Sequence, residues 1–415
     1  MTYPVLKNAN FRNLWLGQSI SQLGDAFYYL VFAFMVDFIT KDPRIVSAVL
    51  VVQALPFLFI SPIAGTFADR LDRRKILLFC DISSALILGL AGVGTIVFGS
   101  IALPWIFVLG FALSVVNSFF GPAKNACIPR IVPAEELNKA NSLSSATQYL
   151  MPLIGIAGSA GLMGALEQVS PKHSFAIAML INAASFLASA YYVRRIPTII
   201  PEREAVQQNQ LQDLKLGLSY VAKHPVLRVT VFLSFLTSFF IGPFFPVYIA
   251  TNREWFGGHY PQLGMMEASF FGSMVFSSLW LGKHPVSKIG VAFCWGVLVT
   301  GLFIVSMAIS RNFGWFLVWN FACGFSVPFA SIPVTVYCQS AVPDEFRGRV
   351  SSVMMMAGQG VQPLSIAIGG YALARLGVAP MYIIMGIGFM GAGFLGFLFK
   401  PFRTARLSEA DAKVP

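Results

Sequence analysis

Asp25 and Glu267 are the two residues whose type and setting first suggest chemistry. Each acid sits inside an apolar run, Leu23-Gly24-Asp25-Ala26-Phe27-Tyr28-Tyr29 and Met265-Met266-Glu267-Ala268-Ser269-Phe270, far from the ends of the helices those runs predict. An ionisable group in the middle of an apolar helix is costly, and it persists where it has a partner or a task. A carboxyl group in low-dielectric surroundings is suited to taking up and releasing a proton, so both acids are candidates for proton coupling. The plainer reading is a structural acid hydrogen-bonded to a neighbouring helix. Asp81, one turn into the third apolar run, reads as a partner of the basic cluster that precedes it. Lys124 follows Pro122 near the end of the fourth run and is expected to snorkel or pair with an acid, with a role toward anionic cargo as the alternative. Asp37, near the far end of the first run, is expected to be solvated.

Uncharged polar residues recur within apolar runs at Gln18, Gln22, Gln53, Asn117, Gln148, Asn182, Asn320, Gln359 and Gln362. With Tyr28, Lys124, Phe240 and Phe244 they predict an aromatic cavity with few fixed charges, suited to large amphipathic molecules. Most other aromatic residues read as lipid contacts or interfacial belts. No Gly-x-x-x-x-Gly-Lys-Ser/Thr loop occurs, which argues against ATP as the energy source, and no hydrolase or kinase arrangement is present. The chain is therefore expected not to be an enzyme. The five cysteines lack C-x-x-C spacing and the four histidines form no ligand cluster, so neither metal nor other cofactor is expected.

The elements that must position these groups follow from composition. Of 415 residues, 56% are hydrophobic and only 11% charged, with a mean hydropathy of +0.71. The net charge of +11 suggests nucleic acid until its distribution is considered: it lies in short clusters between apolar runs. Twelve such runs fall near 13–40, 45–68, 76–99, 102–122, 141–165, 172–193, 226–250, 262–282, 286–309, 312–340, 350–375 and 379–400. Each is long enough to cross a hydrocarbon core of about 30 Å as a helix. An all-α integral membrane fold follows, with a first six-helix half at 1–194, a cytoplasmic linker at 195–224, a second half at 225–402 and a tail at 403–415. The linker is expected to carry an amphipathic helix around 210–222. With both termini in the cytoplasm, 23 of the 29 Lys and Arg residues fall inside and 6 outside. That bias fixes the expected orientation, in the cytoplasmic membrane and with no nucleic-acid partner.

The densest charge cluster is Gly65-Thr66-Phe67-Ala68-Asp69-Arg70-Leu71-Asp72-Arg73-Arg74-Lys75, a turn between the second and third runs. A Gly there lets helices approach, and arginines can reach carboxylates on other helices. The halves repeat: Val132-Pro133-Ala134-Glu135 matches Val342-Pro343-Asp344-Glu345 at an offset of 210. The second half's counterpart of the charged turn, Gly282–Lys288, has lost its Asp and Arg residues.

The spacing G-x-x-x-D-R-x-x-R-R resembles the loop signature of the major facilitator superfamily, with Asp72 where a second glycine is usual. Together with Gln18–Asp25, Phe119–Lys124, Val132–Ser142 and Asp344–Ser351, it resembles the branch that holds macrolide-efflux proteins and the enterobactin exporter. The resemblance implies two pseudo-symmetric six-helix halves and a cytoplasmic latch made of Gly65, Asp69, Arg70, Arg73, Arg74 and Asp81. It also implies export of an amphipathic small molecule (a drug, macrolide or siderophore type) by a monomer using alternating access and protons. Two departures stand out: Leu113 holds the place of a fourth-helix arginine, and Met151-Pro152 lacks the preceding glycine of the antiporter signature. Lysophospholipid transport on the same fold, or a receptor that does not transport, are the alternatives.

Overall fold

The computed structural model describes residues 4–169, 173–199, 210–284 and 286–406. Sixteen α-helices run through the described residues: α1 Ala9–Thr40, α2 Pro43–Arg70, α3 Arg73–Phe98, α4 Leu103–Ile131, α5 Leu137–Val169, α6 Ser174–Val193, α7 Gln210–Lys223 and α8 Pro225–Ile241. They continue with α9 Phe244–Trp255, α10 Tyr260–Lys283, α11 Ile289–Ile309, α12 Phe313–Ala341, α13 Asp344–Gln359, α14 Gln362–Leu376, α15 Val378–Leu398 and α16 Lys400–Thr404. Eight stretches among the described residues are long and apolar enough to cross a membrane: α1, α3, α4, α6, Pro225–Trp255, α11, Phe313–Cys338 and α15. The other expected runs are helical too, and two of the twelve are broken. The run at 226–250 divides at Gly242-Pro243, where proline removes a backbone donor, and the run at 350–375 divides at Gly360-Val361, just before Pro363.

Polar caps set several helix starts. The Asn8 carboxamide accepts from the Asn10 and Phe11 amides at 3.0 and 3.2 Å, and Asn312 accepts from Trp315 at 3.2 Å. His224 caps α8 by accepting the Leu227 amide at 3.4 Å, and burial holds its imidazole below the ordinary histidine range, in the neutral form that can accept. The internal repeat is visible in the backbone. Val132 and Val342 are both extended because a proline follows, and Glu136 and Phe346 both close a turn onto that proline's carbonyl, at 3.0 and 2.9 Å.

The chain folds as two compact units, one comprising 1–41 and 49–206, the other 42–48 and 207–415. In the first, α6 packs on α1 and α3, α5 on α1, and α4 on α3. A core of Phe11, Leu14, Leu77, Cys127, Ile128 and Ile199 closes one end of it. In the second, α11 packs on α12 and α15, α10 on α12, and α8 on α13 and α15. Within the stretch expected as a linker, 195–224, α7 is the helix expected around 210–222. Ile196 and Ile199 belong to the first unit's core, while α7 lies on α13, with Tyr220 stacked on Phe346 at 4.8 Å. Residues 200–209 between them lie outside the described residues.

Candidate functional site

Asp25 and Glu267 belong to different units, and each is set among neutral polar groups. On α1, Asp25 lies beside Asn182 of α6. Gly24 makes this approach possible, since a Cβ there would collide with the Ser185 hydroxyl and the Asn182 carboxamide oxygen. Ser185 donates to that oxygen at 2.9 Å, and Tyr28, buried and packed on Phe32 at 5.1 Å, lies within electrostatic range of the carboxylate. Asp81 joins this group and not the basic turn. It is fully buried, one carboxylate oxygen accepts from the Ser189 hydroxyl at 2.7 Å, and Asp25 is within electrostatic range. The expectation that Asp81 pairs with the Arg70–Lys75 cluster gives way to this arrangement. Lys75 is six residues back along α3, about 9 Å by helical rise, whereas α6 is packed directly against α3.

Glu267 on α10 is 6% exposed and faces Tyr248 of α9. Asn320 of α12 donates to the Met266 carbonyl at 2.7 Å and lies beside the Tyr248 hydroxyl. Phe244 stacks on Tyr248 at 5.2 Å and meets Phe270 at 5.6 Å, so three of the expected residues, Glu267, Asn320 and Phe244, come together. Tyr248 and Tyr382, the latter hydrogen-bonded to Thr251 at 2.9 Å, complete this polar-aromatic cluster and were not singled out from the sequence. The only signal for them is a phenol hydroxyl inside an apolar run.

The remaining cavity candidates stand on α1, α2, α4, α5, α8 and α13. Phe240 packs against Gly388 of α15, Gln53 against Gly110 of α4, and Gln22 is half-buried. Asn117, Gln148 and Gln359 are exposed within their helices. Lys124 is 8% exposed, and Asp37, expected to be solvated, is only 5% exposed.

The charged turn organises its own unit. The side chains of Gly65 and Asp69 lie outside the described residues, and Arg70 is exposed. Asp72 caps α3, its carboxylate accepting from the Arg74 amide at 3.0 Å and from the Ile199 amide at 3.1 Å. The Arg73 amide donates to the Ile199 carbonyl at 3.2 Å, and the Arg74 guanidinium to the Arg194 carbonyl at 2.5 Å. The turn therefore grips the segment that leaves α6, and the residue standing where a glycine is usual is the one that bridges them. Asp72→Ala removes a cap and this bridge together. It should cost about 1–2 kcal/mol of stability, and hydrogen exchange at the Ile199 amide should accelerate with it.

A bundle of apolar helices in two units, with a charged turn in the first and a carboxyl group set inside each, defines a multi-pass membrane transport protein. The chain belongs to the Major Facilitator Superfamily, whose profile matches residues 14–365, and it is a transporter and not an enzyme. It is 25% identical over 385 residues to macrolide efflux protein A of Streptococcus pyogenes, covering 91% of this chain and 92% of that protein. It is 27% identical over 308 residues to macrolide efflux protein A of Enterococcus faecalis, covering 72% and 92%. The crystal structure of the nucleoside transporter NupG superposes with a TM-score of 0.69 at 14% identity, covering 93% of this chain and 98% of that one, a likeness of fold.

Proposed function

We propose that this transporter exports amphipathic small molecules of macrolide type across the cytoplasmic membrane by alternating access, drawing on the proton gradient. The observation that carries the reading is a carboxyl group inside each unit, Asp25 and Glu267, each placed among hydroxyl, carboxamide and phenol groups. Such a group can change its protonation without breaking an ion pair, which is what a coupling site needs. The similarity to macrolide efflux proteins supports the direction and the class of cargo. Apolar aromatic surfaces such as Phe244-Tyr248-Phe270 supply contacts for a large ring without demanding one charge pattern. Both termini lie in the cytoplasm and the protein works as a monomer. The basic turn at Arg70–Lys75 sits on the cytoplasmic face and, with Asp69, serves the latch between inward and outward states.

Two measurements test this reading. A thermal-unfolding screen of the purified protein should find saturable stabilisation by a macrolide, since a ligand that binds only the native state raises the unfolding temperature. Absence of any shift across macrolides would remove the cargo class. A cysteine introduced at Asn209 should be labelled only from the cytoplasm and one at Gly257 only from outside, and the reverse pattern would overturn the orientation.

A further inference from the structure

Beside the charged turn, between α2, α3 and α4, lies a groove with a volume of about 500 Å³. Phe67, Leu71, Phe79 and Phe119 form its apolar walls, and Asp72 and Lys75 supply its polar lining. Phe67 and Phe119 meet edge to face at 5.9 Å, so α2 touches α4 there. Phe67, Leu71 and Phe79 are 45, 49 and 67% exposed, so the groove opens outward and is no part of the buried core. Contiguous apolar side chains left open in this way mark a contact surface.

The surroundings identify what touches it. Phe79 begins a row of exposed apolar side chains on α3 that continues through Ile82, Leu86, Leu90, Val93 and Val97. Steps of three and four residues keep the row on one helix face. From Phe79 to Val97 the row runs about 27 Å by helical rise, close to the ~30 Å of a bilayer's hydrocarbon core. That is a face for lipid tails, and Phe79 belongs to both the row and the groove. Lys75 stands one turn before Phe79 on the same face, and it is exposed. A lysine there covers apolar surface with its stem and holds its ammonium at the level of the head groups.

Charge narrows the choice further. Of the four basic residues of the turn, Arg73 is buried and the Arg74 guanidinium donates to the Arg194 carbonyl. Arg70 and Lys75 are exposed, and Lys75 makes no hydrogen bond or ion pair with any described residue. The carboxylate of Asp72, the one acid in the lining, accepts the Arg74 and Ile199 amides at the start of α3, where the helix dipole offsets its charge. A soluble anion would have no use for the aromatic walls, and a neutral lipid none for the lysine. Basic pockets between membrane helices suit anionic lipid head groups.

We propose that this groove holds one anionic phospholipid, with an acyl chain against Phe67, Phe79 and Phe119 and the phosphate at Lys75. Arg70 adds to the attraction. Neither Asp25 nor Glu267 takes part, so the site stands or falls apart from proton coupling.

The test is native mass spectrometry of the purified full-length protein, titrated in detergent with dioleoyl phosphatidylglycerol or dioleoyl phosphatidylcholine, with thermal unfolding read in parallel. One phosphatidylglycerol should be held about five-fold or more tighter than phosphatidylcholine, the factor a single basic residue contributes near a charged lipid. Lys75→Gln should erase most of that preference. Phe67→Ala should weaken both lipids and leave their ratio unchanged. Both side chains are exposed, so neither change disturbs the core. Arg403→Gln, which alters an exposed base in the other unit, should keep this lipid as the unaltered protein does. Excess inorganic phosphate or glycerol 3-phosphate, a head group without a chain, should neither displace the lipid nor raise the unfolding temperature. Equal retention of the two lipids, or an unchanged preference in Lys75→Gln, would overturn the site. Displacement by phosphate would overturn it too and give the groove to a soluble anion.

Discussion

Replacing Asp25 by Asn, or Glu267 by Gln, is expected to reduce accumulation of cargo driven by a pH gradient to the level of protein-free liposomes. Exchange of cargo down its own gradient should survive. Both amides match the shape of the acid, so the Asn182 contact of Asp25 and the Tyr248 contact of Glu267 can persist while the ability to lose a proton is gone. Movement between inward and outward states requires only that a buried site be neutral, a condition the amide meets permanently. The distinction between driven and downhill transport is therefore the informative readout, because a misfolded variant loses both. If both amide variants keep gradient-driven accumulation, the two acids are structural and the coupling ion enters elsewhere.

The second large effect concerns packing. Gly301 of α11 and Gly386 of α15 face each other backbone to backbone. A Cβ at 301 would stand 2.5 Å from the Gly386 carbonyl oxygen, and one at 386 would stand 2.6 Å from that of Gly301. Small residues at a crossing let membrane helices approach closely, and their packing contacts replace a hydrophobic drive that lipid does not supply. Gly301→Val forces the crossing apart along the most extensive helix pair of the second unit and should cost roughly 3 kcal/mol, the upper part of the range for overpacking. A backbone carbonyl cannot rotate out of the way as a side chain can. Thermal unfolding followed with a thiol-reactive dye reads this directly, since Cys294 and Cys323 are buried free thiols in the same unit. Gly391→Ala is the control: it lies on α15 with open space where its Cβ would be, and it should match or slightly exceed the parent stability.

Which parts of this structure were legible in the sequence depends on the range of the interaction involved. The apolar runs, their spacing and the Val-Pro repeat are local patterns, and Val132 and Val342 adopt the same extended geometry because each precedes a proline. Asp72 also had a local signal, an aspartate just before a basic, helix-forming stretch, but its bond to Ile199 spans 127 positions. Asp81 was misplaced because proximity along the chain suggested the arginines, whereas the partner that reaches it, Ser189, is 108 residues away on α6. The break at Gly242-Pro243 was hidden by continuous hydrophobicity on both sides, which registers length and not continuity of the helix. Tyr248 became visible as a neighbour of Glu267 only once α9 and α10 were folded, since aromatic residues are spread through the apolar runs of this chain.

The most direct measurement of the central claim is uptake of a radiolabelled macrolide by liposomes containing the purified protein, with a pH gradient imposed and then collapsed by a protonophore. With the protein inserted cytoplasmic side out and the lumen acidic, the macrolide should accumulate inside and leak away once the gradient is collapsed. Accumulation that is the same with and without the gradient, or absent while the unfolding temperature still responds to the macrolide, would contradict proton-driven export.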